Sequence, residues 1–182
     1  MADGVGAGVK VHIIGIPSAG KTTLAGSLSR LLDLPQHSLD PLAFVDDRWT
    51  LRDSAERDAM LQGILEEPGF VTEGTFLGWT APLFEAADHV IWLDPPLRVL
   101  VWRHVRRHYR HPTLLPSLLW FQLLMFVGRP GFAPARFDAN QTREGMKVAL
   151  RPWAYKVLRV RRSVSADEII AYLRRATKGT RS

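Results

Sequence analysis

The residues best suited to chemistry are Gly15-Ile16-Pro17-Ser18-Ala19-Gly20-Lys21-Thr22-Thr23. They fill the pattern G-x-x-x-x-G-K-[ST], between an apolar run at Val11-His12-Ile13-Ile14 and a helical one at Leu24-Ala25-Gly26-Ser27-Leu28. The chemistry this predicts is anion capture. A loop with inward-pointing N–H groups that feeds a helix N-terminus cradles phosphate oxygens without needing a side chain to do so. Gly15 and Gly20 permit the backbone angles and the close approach. Lys21 is placed to bridge the β- and γ-phosphates of a nucleotide, and the Thr22 hydroxyl is a natural Mg²⁺ ligand. The expected ATP-binding residues here are Gly15, Pro17, Ser18, Ala19, Gly20, Lys21, Thr22 and Thr23.

Three carboxylates follow predicted strands: Asp40, Glu73 and Asp94. Beside a polyphosphate, a carboxylate makes sense as a metal partner, a water orienter or the acceptor of a proton from an attacking hydroxyl. Asp40 and Glu73 are therefore candidate catalytic residues, with Glu73 joining Thr22 at the metal. Asp94, before Pro95-Pro96, reads as a turn residue or helix cap. The cationic counterpart is Arg98 to Arg110. Arg103, Arg106, Arg107 and Arg110 share one helical face and Leu97, Leu100, Val101 and Val105 the other, with no acid interleaved. Phosphoryl transfer depends on fixed positive charge around the moving group, so this face is expected to clamp phosphate.

Positioning such residues calls for alternating strands and helices. Strand signals fall at Lys10 to Gly15, Gln36 to Leu39, Phe70 to Thr72, His89 to Leu93 and Lys156 to Val160. Helical signals fall at Thr22 to Leu32, at Ser54 to Glu67 with Ala55, Ala59, Met60, Gly63 and Ile64 on one side, and at Trp79 to Ala87. Further ones run from Leu97 to about Arg110 and from Ser165 to Arg175, where Ser165 and Glu168 form a capping box. This alternation predicts an α/β fold with a parallel sheet covered on both faces and its site at the carboxyl ends of the strands. The apolar run at 114–127 is too short and too interrupted to span a bilayer. Core packing, a homodimer contact, an apolar wall for an acceptor and an interfacial anchor are its alternatives. Gly128-Arg129-Pro130-Gly131 and Pro134 then lead to Arg136 and Arg143, an order suited to a lid.

The 182 residues suit one domain, 1–182, with a lid-like insertion at about 111–137. No cysteine is present, which excludes disulfides and thiolate metal sites and is compatible with a cytoplasmic setting. The net charge of +6 implies an acidic partner. The N-terminal residues lack the basic and apolar pattern of a signal peptide, no transmembrane segment is expected, and no dedicated nucleic-acid motif is found.

These residues resemble the small P-loop kinases of the adenylate kinase type, and within them the proteins called topology modulation proteins. The likeness covers nearly the whole chain. It rests on Gly15 to Thr23, on His37-Ser38-Leu39-Asp40, on Val71-Thr72-Glu73-Gly74, on Val90-Ile91-Trp92-Leu93-Asp94 with Pro96, and on Trp102-Arg103 and Arg106-Arg107. The resemblance implies a three-layer P-loop NTPase fold whose five-stranded parallel sheet runs in the order 2-3-1-4-5 and carries a lid. It also implies ATP and Mg²⁺ as phosphoryl donor, Arg103 and Arg107 on phosphates, Arg136 and Arg143 as lid arginines, and Arg161-Arg162-Ser163 beside the adenine. Two departures bear on the acceptor. Glu73-Gly74 leads into Thr75-Phe76-Leu77-Gly78 without the arginine that grips a nucleoside monophosphate, and the lid is apolar. The expectation is an ATP-dependent kinase acting on a small-molecule hydroxyl or phosphate. The alternative is an ATP- or GTP-driven switch whose basic helix and apolar run engage a membrane or a nucleic acid.

Overall fold

Five parallel strands carry the molecule: β1 (Lys10–Ile14), β2 (Gln36–Ser38), β3 (Phe70–Gly74), β4 (His89–Leu93) and β5 (Val157–Val160). They lie in the order β2-β3-β1-β4-β5, as the motif resemblance implies. The computed structural model describes residues 8–47, 49–108, 115–128 and 141–179. Its helices are α1 (Lys21–Leu32), α2 (Asp40–Ala43), α3 (Ser54–Leu65), α4 (Ala81–Ala86), α5 (Leu97–His108), α6 (Leu115–Val127), α7 (Arg143–Ala149) and α8 (Ala166–Gly179). A 3₁₀ turn, Arg151–Lys156, precedes β5.

Parallel strands need long crossovers, and helices supply them, so the central strands are covered on both faces and read as continuous apolar runs. In β1 every residue after Lys10 is buried, and β3 is buried throughout. The register aligns Ile14 with Gly74 and with Trp92, and Leu93 with Val160. The carboxyl ends of β3, β1, β4 and β5 therefore form one rim, where chain leaving the strands can converge on a ligand. The main core joins Val11, Ile13, Ile14, Leu28, Ile91, Leu100 and Leu173. A second cluster, with Leu39, Leu42, Phe44, Leu61, Phe70, Phe76 and Leu83, lies toward the β2–β3 side of the sheet.

Helix boundaries follow local chemistry. Asp53 caps α3 by accepting from the N–H groups of Ala55 and Glu56, at 2.9 and 3.2 Å. Thr142 caps α7 by accepting from Gly145 N–H at 3.1 Å. Ser165 caps α8 by accepting from Glu168 N–H at 3.2 Å, as expected. The reciprocal half of that capping box is not made, because the Glu168 carboxylate pairs with Arg162 instead.

Other expectations need correction. The buried side of α3 is Leu61 and Ile64, whereas Ala55, Ala59, Met60 and Gly63 face solvent. Small residues at helical spacing fit a core face in pattern, but the larger aliphatic side chains gain more by burial. The short helices α2 and α7 carried no periodic signal in so few residues. Helix α5 is described to His108, so Arg110 lies outside the described residues, as do 111–114 and 129–137 of the expected lid, Arg136 among them. Within that lid, the described part is α6, which packs on α5 and α7. It buries Gln122 and Met125 and exposes Trp120 and Val127. No helix among the described residues is long and apolar enough to cross a membrane.

Candidate functional site

The turn from β1 into α1 forms the expected loop, and two of its glycines are required by geometry. A Cβ on Gly15 would lie 2.6 Å from the Leu93 carbonyl oxygen, so only glycine lets the loop pass this close to the end of β4. Gly20 holds φ at 100° and starts α1, and a Cβ there would approach Arg103 Nη1 to 3.0 Å. Ser18, at φ 63°, adds a second left-handed residue, the alternation that turns successive N–H groups inward.

Helix α5 braces this loop from the other side. Arg103 Nη1 donates to the Ala19 carbonyl at 2.7 Å, and Ser18 Oγ lies 3.0 Å from His104 Nδ1. Leu100, Arg103, His104 and Arg107 recur at helical spacing; Arg103 and His104 meet the loop, and Arg107, though exposed, borders the clefts described below. Arg106 is exposed and lines neither of the clefts described below. Among the described residues the stripe therefore divides, with Arg103 and Arg107 bordering the clefts and Arg106 outside them.

Two clefts open on opposite sides of the loop. The larger, about 750 Å³, is bounded by Ser18, Ala19, Gly20 and Thr23 of the loop, by Arg103 and Arg107, and by Arg162, Ser163 and Val164 beyond β5. Arg162, expected beside the adenine, borders this larger cleft. Arg161 is exposed and borders a separate groove between β5 and α8. The smaller cleft, about 300 Å³, contains Lys21 and Thr22, the carboxylates Asp40 and Glu73, and an apolar wall of Phe44, Trp49, Phe76, Phe121 and Met125. Pro17, Ser18, Gly20, Thr23 and Arg107 also border this smaller cleft, and all but Pro17 border both. The loop and Arg107 are therefore the shared partition.

Within the smaller cleft, Thr22 Oγ1 donates to Glu73 Oε1 at 3.1 Å. A hydroxyl and a carboxylate held together beside a phosphate loop are hard oxygen donors that suit Mg²⁺. Lys21 Nζ reaches the Ile16 carbonyl at 3.4 Å. Burial pushes the Lys21 ammonium below its ordinary pKa, although Glu73 and Asp40 pull it upward and Arg107 lowers it further. Burial pushes the Asp40 carboxyl above its usual range; Lys21 opposes that shift and Glu73 reinforces it. A carboxylate made more basic and set beside a lysine is a candidate general base.

Two expected residues have other roles. Asp94 is neither a turn residue nor a cap. It is 4 % exposed and accepts both forks of a paired contact, from Arg143 Nε and Nη2 and from Arg159 Nε, the last two at 2.9 Å. Its N–H donates to the Val160 carbonyl at 2.8 Å, which ties β4 to β5. Arg143, expected as a lid arginine, is thereby engaged with Asp94 and lies 5.0 Å over the Phe126 ring, so it anchors α7 and α6 to the rim. The sequence reading missed Phe44, Trp49, His104 and Gln141. His104 was findable, being one helical turn from Leu100 and Arg107. Trp49 sits at φ 65° in a loop closed by Val45 N–H donating to Thr50 O and by Thr50 donating to Asp46, an arrangement without a sequence period.

Neither a family model nor a curated protein sequence matches the chain. Solved structures do. A gluconokinase from Sinorhizobium meliloti 1021 is 16 % identical, with 95 % of each chain covered and a TM-score of 0.58. An uncharacterized protein from Eubacterium ventriosum ATCC 27560 is 14 % identical, with 91 % of this chain and 98 % of that one covered and a TM-score of 0.52. A shikimate kinase from Aquifex aeolicus vf5 is 14 % identical, covering 94 % and 98 %, at a TM-score of 0.49. The finer likeness to topology modulation proteins stays an expectation drawn from the motifs. What the sheet order and the likeness to the gluconokinase establish is the small P-loop kinase fold.

Proposed function

We propose that the chain is a small-molecule kinase that moves the γ-phosphoryl group of ATP to an acceptor bound in the smaller cleft. The observation that carries this reading is the partition. One phosphate loop, together with Arg107, borders two clefts, and the second holds the carboxylate of Asp40, its pKa raised, beside an apolar wall. In-line transfer needs this layout, with donor and acceptor meeting across a zone of fixed positive charge.

In this reading the donor's base and ribose fill the larger cleft beside Arg162 and Ser163, and the loop amides from Ser18 to Thr23 take the phosphates. Bound Mg²⁺ would supply charge neutralisation across the β- and γ-phosphates, with Thr22 and Glu73 as its protein-side partners. An acceptor oxygen attacks the γ-phosphorus, and the bond from that phosphorus to the β–γ bridging oxygen breaks. ADP leaves with the electron pair, and Asp40 takes the acceptor's proton. Lys21, Arg103 and Arg107 balance the charge that spreads over the moving group. A chain without cysteine that consumes ATP suits the cytoplasm.

The kinase reading is preferred over a nucleotide switch because a switch has no use for Asp40 in a walled cleft. Calorimetry with ATP and Mg²⁺ on the whole chain tests it. Saturable binding that Lys21→Ala removes is expected, and a folded protein giving no heat with ATP would refute it.

A further inference from the structure

Gln141 marks the smaller cleft with an unanswered polar atom. The residue is 1 % exposed, it lines the cleft, and its Oε1 has no hydrogen-bond partner among the described residues. A buried carbonyl left without a donor is costly unless a ligand supplies one. The same cleft is lined by aromatic rings, with Phe44 edge-on to Trp49 at 5.0 Å between centroids and tilted against Phe76 at 6.0 Å. Phe44 and Phe76 belong to the β2–β3-side core, so this wall is rigidly backed.

The charges in the cleft are Lys21 and Arg107 against Asp40 and Glu73. Both cations also belong to the phosphate loop or its brace, and Glu73 is joined to Thr22. Once donor phosphates engage the cations, the described residues leave no positive group in this cleft for an anion carried by the acceptor. They leave the Asp40 carboxylate, the Gln141 carbonyl, Thr75, His104 and the rings.

We infer that the acceptor is an uncharged or cationic alcohol with a flat apolar body, its hydroxyl at Asp40 and a second N–H or O–H donor at Gln141 Oε1. This rests on the kinase reading and names its substrate class. The cavity of about 300 Å³ suits a molecule of one or two rings. Rings stack on flat apolar faces, and the carboxylate favours neutral or positive groups. The transfer is the one written above: the alcohol oxygen gains the phosphorus, ADP departs, and the proton goes to Asp40.

Binding to the whole chain, in the presence of MgATP, is measured by tryptophan fluorescence and calorimetry. The probes are phenylserinol (a cationic aryl amino diol) and thymidine (a neutral nucleoside), compared with gluconate and shikimate. Phenylserinol or thymidine is expected to bind on the order of tenfold tighter than either acid. Gln141→Leu should weaken that binding on the order of tenfold, with MgATP affinity unchanged. Trp49→Ala, at the exposed rim, gives a second variant should Gln141→Leu fail to fold. Tighter binding of gluconate or shikimate overturns the inference, as does absence of binding by phenylserinol and thymidine at about 10 mM while MgATP still binds. Full affinity in both variants also overturns it. A wild-type protein that does not bind MgATP refutes the kinase reading first and this inference with it.

Discussion

Acid should unfold this protein through one histidine in the middle of β1. His12 is fully buried, with Thr72 beside it on β3 and Val90 on β4. Its Nδ1 lies 2.9 Å from Thr72 Oγ1, whose hydroxyl turns to the Val11 carbonyl at 3.4 Å, so Nδ1 carries the proton and donates. Nε2 then holds the lone pair, buried and without a partner among the described residues, and the ring meets Phe84 edge-on at 4.9 Å. A second proton would have nothing to bond to, and burial lowers the His12 pKa from 6.5 to about 3. The unfolded chain takes up that proton near pH 6.5, whereas the folded chain refuses it until about pH 3.

Between those values the unfolded state binds more protons, so His12 leaves stability intact above pH 6.5 and erodes it as the pH falls toward 3. At about 1.4 kcal/mol per pH unit, the loss reaches about 2 kcal/mol at pH 5 and about 5 kcal/mol at the acid limit. The assay is urea unfolding followed by circular dichroism at pH 8, 7, 6 and 5, on wild type and His12→Leu. Other shifted groups, such as Asp40 and His89, are common to both proteins and cancel in the difference. The gap between the variants should change by about 2 kcal/mol from pH 8 to pH 5, in favour of His12→Leu at the acid end. Parallel profiles, within about 0.5 kcal/mol, would refute the reasoning, because a hydrated or charged imidazole would then occupy the strand.

Other perturbations separate chemistry from scaffolding. Arg107→Ala should lower turnover on the order of 10³-fold, read as the initial rate of ADP release, and a fall under about threefold would return Arg107 to the surface. Asp40→Asn should cut kcat on the order of 10²- to 10⁴-fold with ATP affinity retained by calorimetry, and an unchanged rate would remove Asp40 as base. Asp94→Asn should destabilise by about 3–5 kcal/mol in urea, because Arg143 and Arg159 would face each other without their shared carboxylate; a cost below about 1 kcal/mol would deny it the role of hub. Gln122→Leu should stabilise by about 1–3 kcal/mol, since the buried side-chain amide of Gln122 has no partner for either polar atom among the described residues, and a lowered melting temperature would contradict this.

The fold was legible where residues repeat with a period or fit a spacing. The buried run Val11 to Ile14, the loop Gly15 to Thr23 and the strand His89 to Leu93 announce themselves locally, and the sheet order follows from the motif resemblance. The acceptor cleft was not legible, because its wall is assembled from places that share no pattern: the loop before Leu51, the turn after β3, one face of α6, and Gln141. Helix α6 illustrates the difficulty. Its run of apolar residues is equally consistent with core, dimer contact or wall, and only the packing against α5 and α7 turns Phe121 and Met125 toward Lys21. Arg143 misleads for a related reason. A guanidinium near a lid reads as a phosphate ligand until its carboxylate partner, 49 positions earlier in the chain, is brought beside it by the β4 terminus.

That pairing decides which arginines are free to work. Arg103 and Arg107 on α5, and Arg143 and Arg159 nearer β5, all approach the same rim of the sheet. Four guanidinium groups gathered there would repel one another and bind any anion indiscriminately. Asp94 neutralises one pair, and Arg159 further lies 4.3 Å over the Trp92 ring, so that cationic side of the rim becomes structure. Arg103 is held by a carbonyl rather than a carboxylate, which aims the guanidinium at the loop without cancelling its charge. Net positive potential is thereby concentrated on the partition between the two clefts, where a phosphoryl group would cross. The acceptor side keeps Asp40 as the carboxylate not tied to a threonine. A single buried aspartate at the end of β4 thus sorts a broadly basic chain into a scaffold and a reactive centre. The test of that division is whether Asp94→Asn loosens selectivity among anions as well as stability, measured as the ratio of ATP to inorganic sulfate affinity.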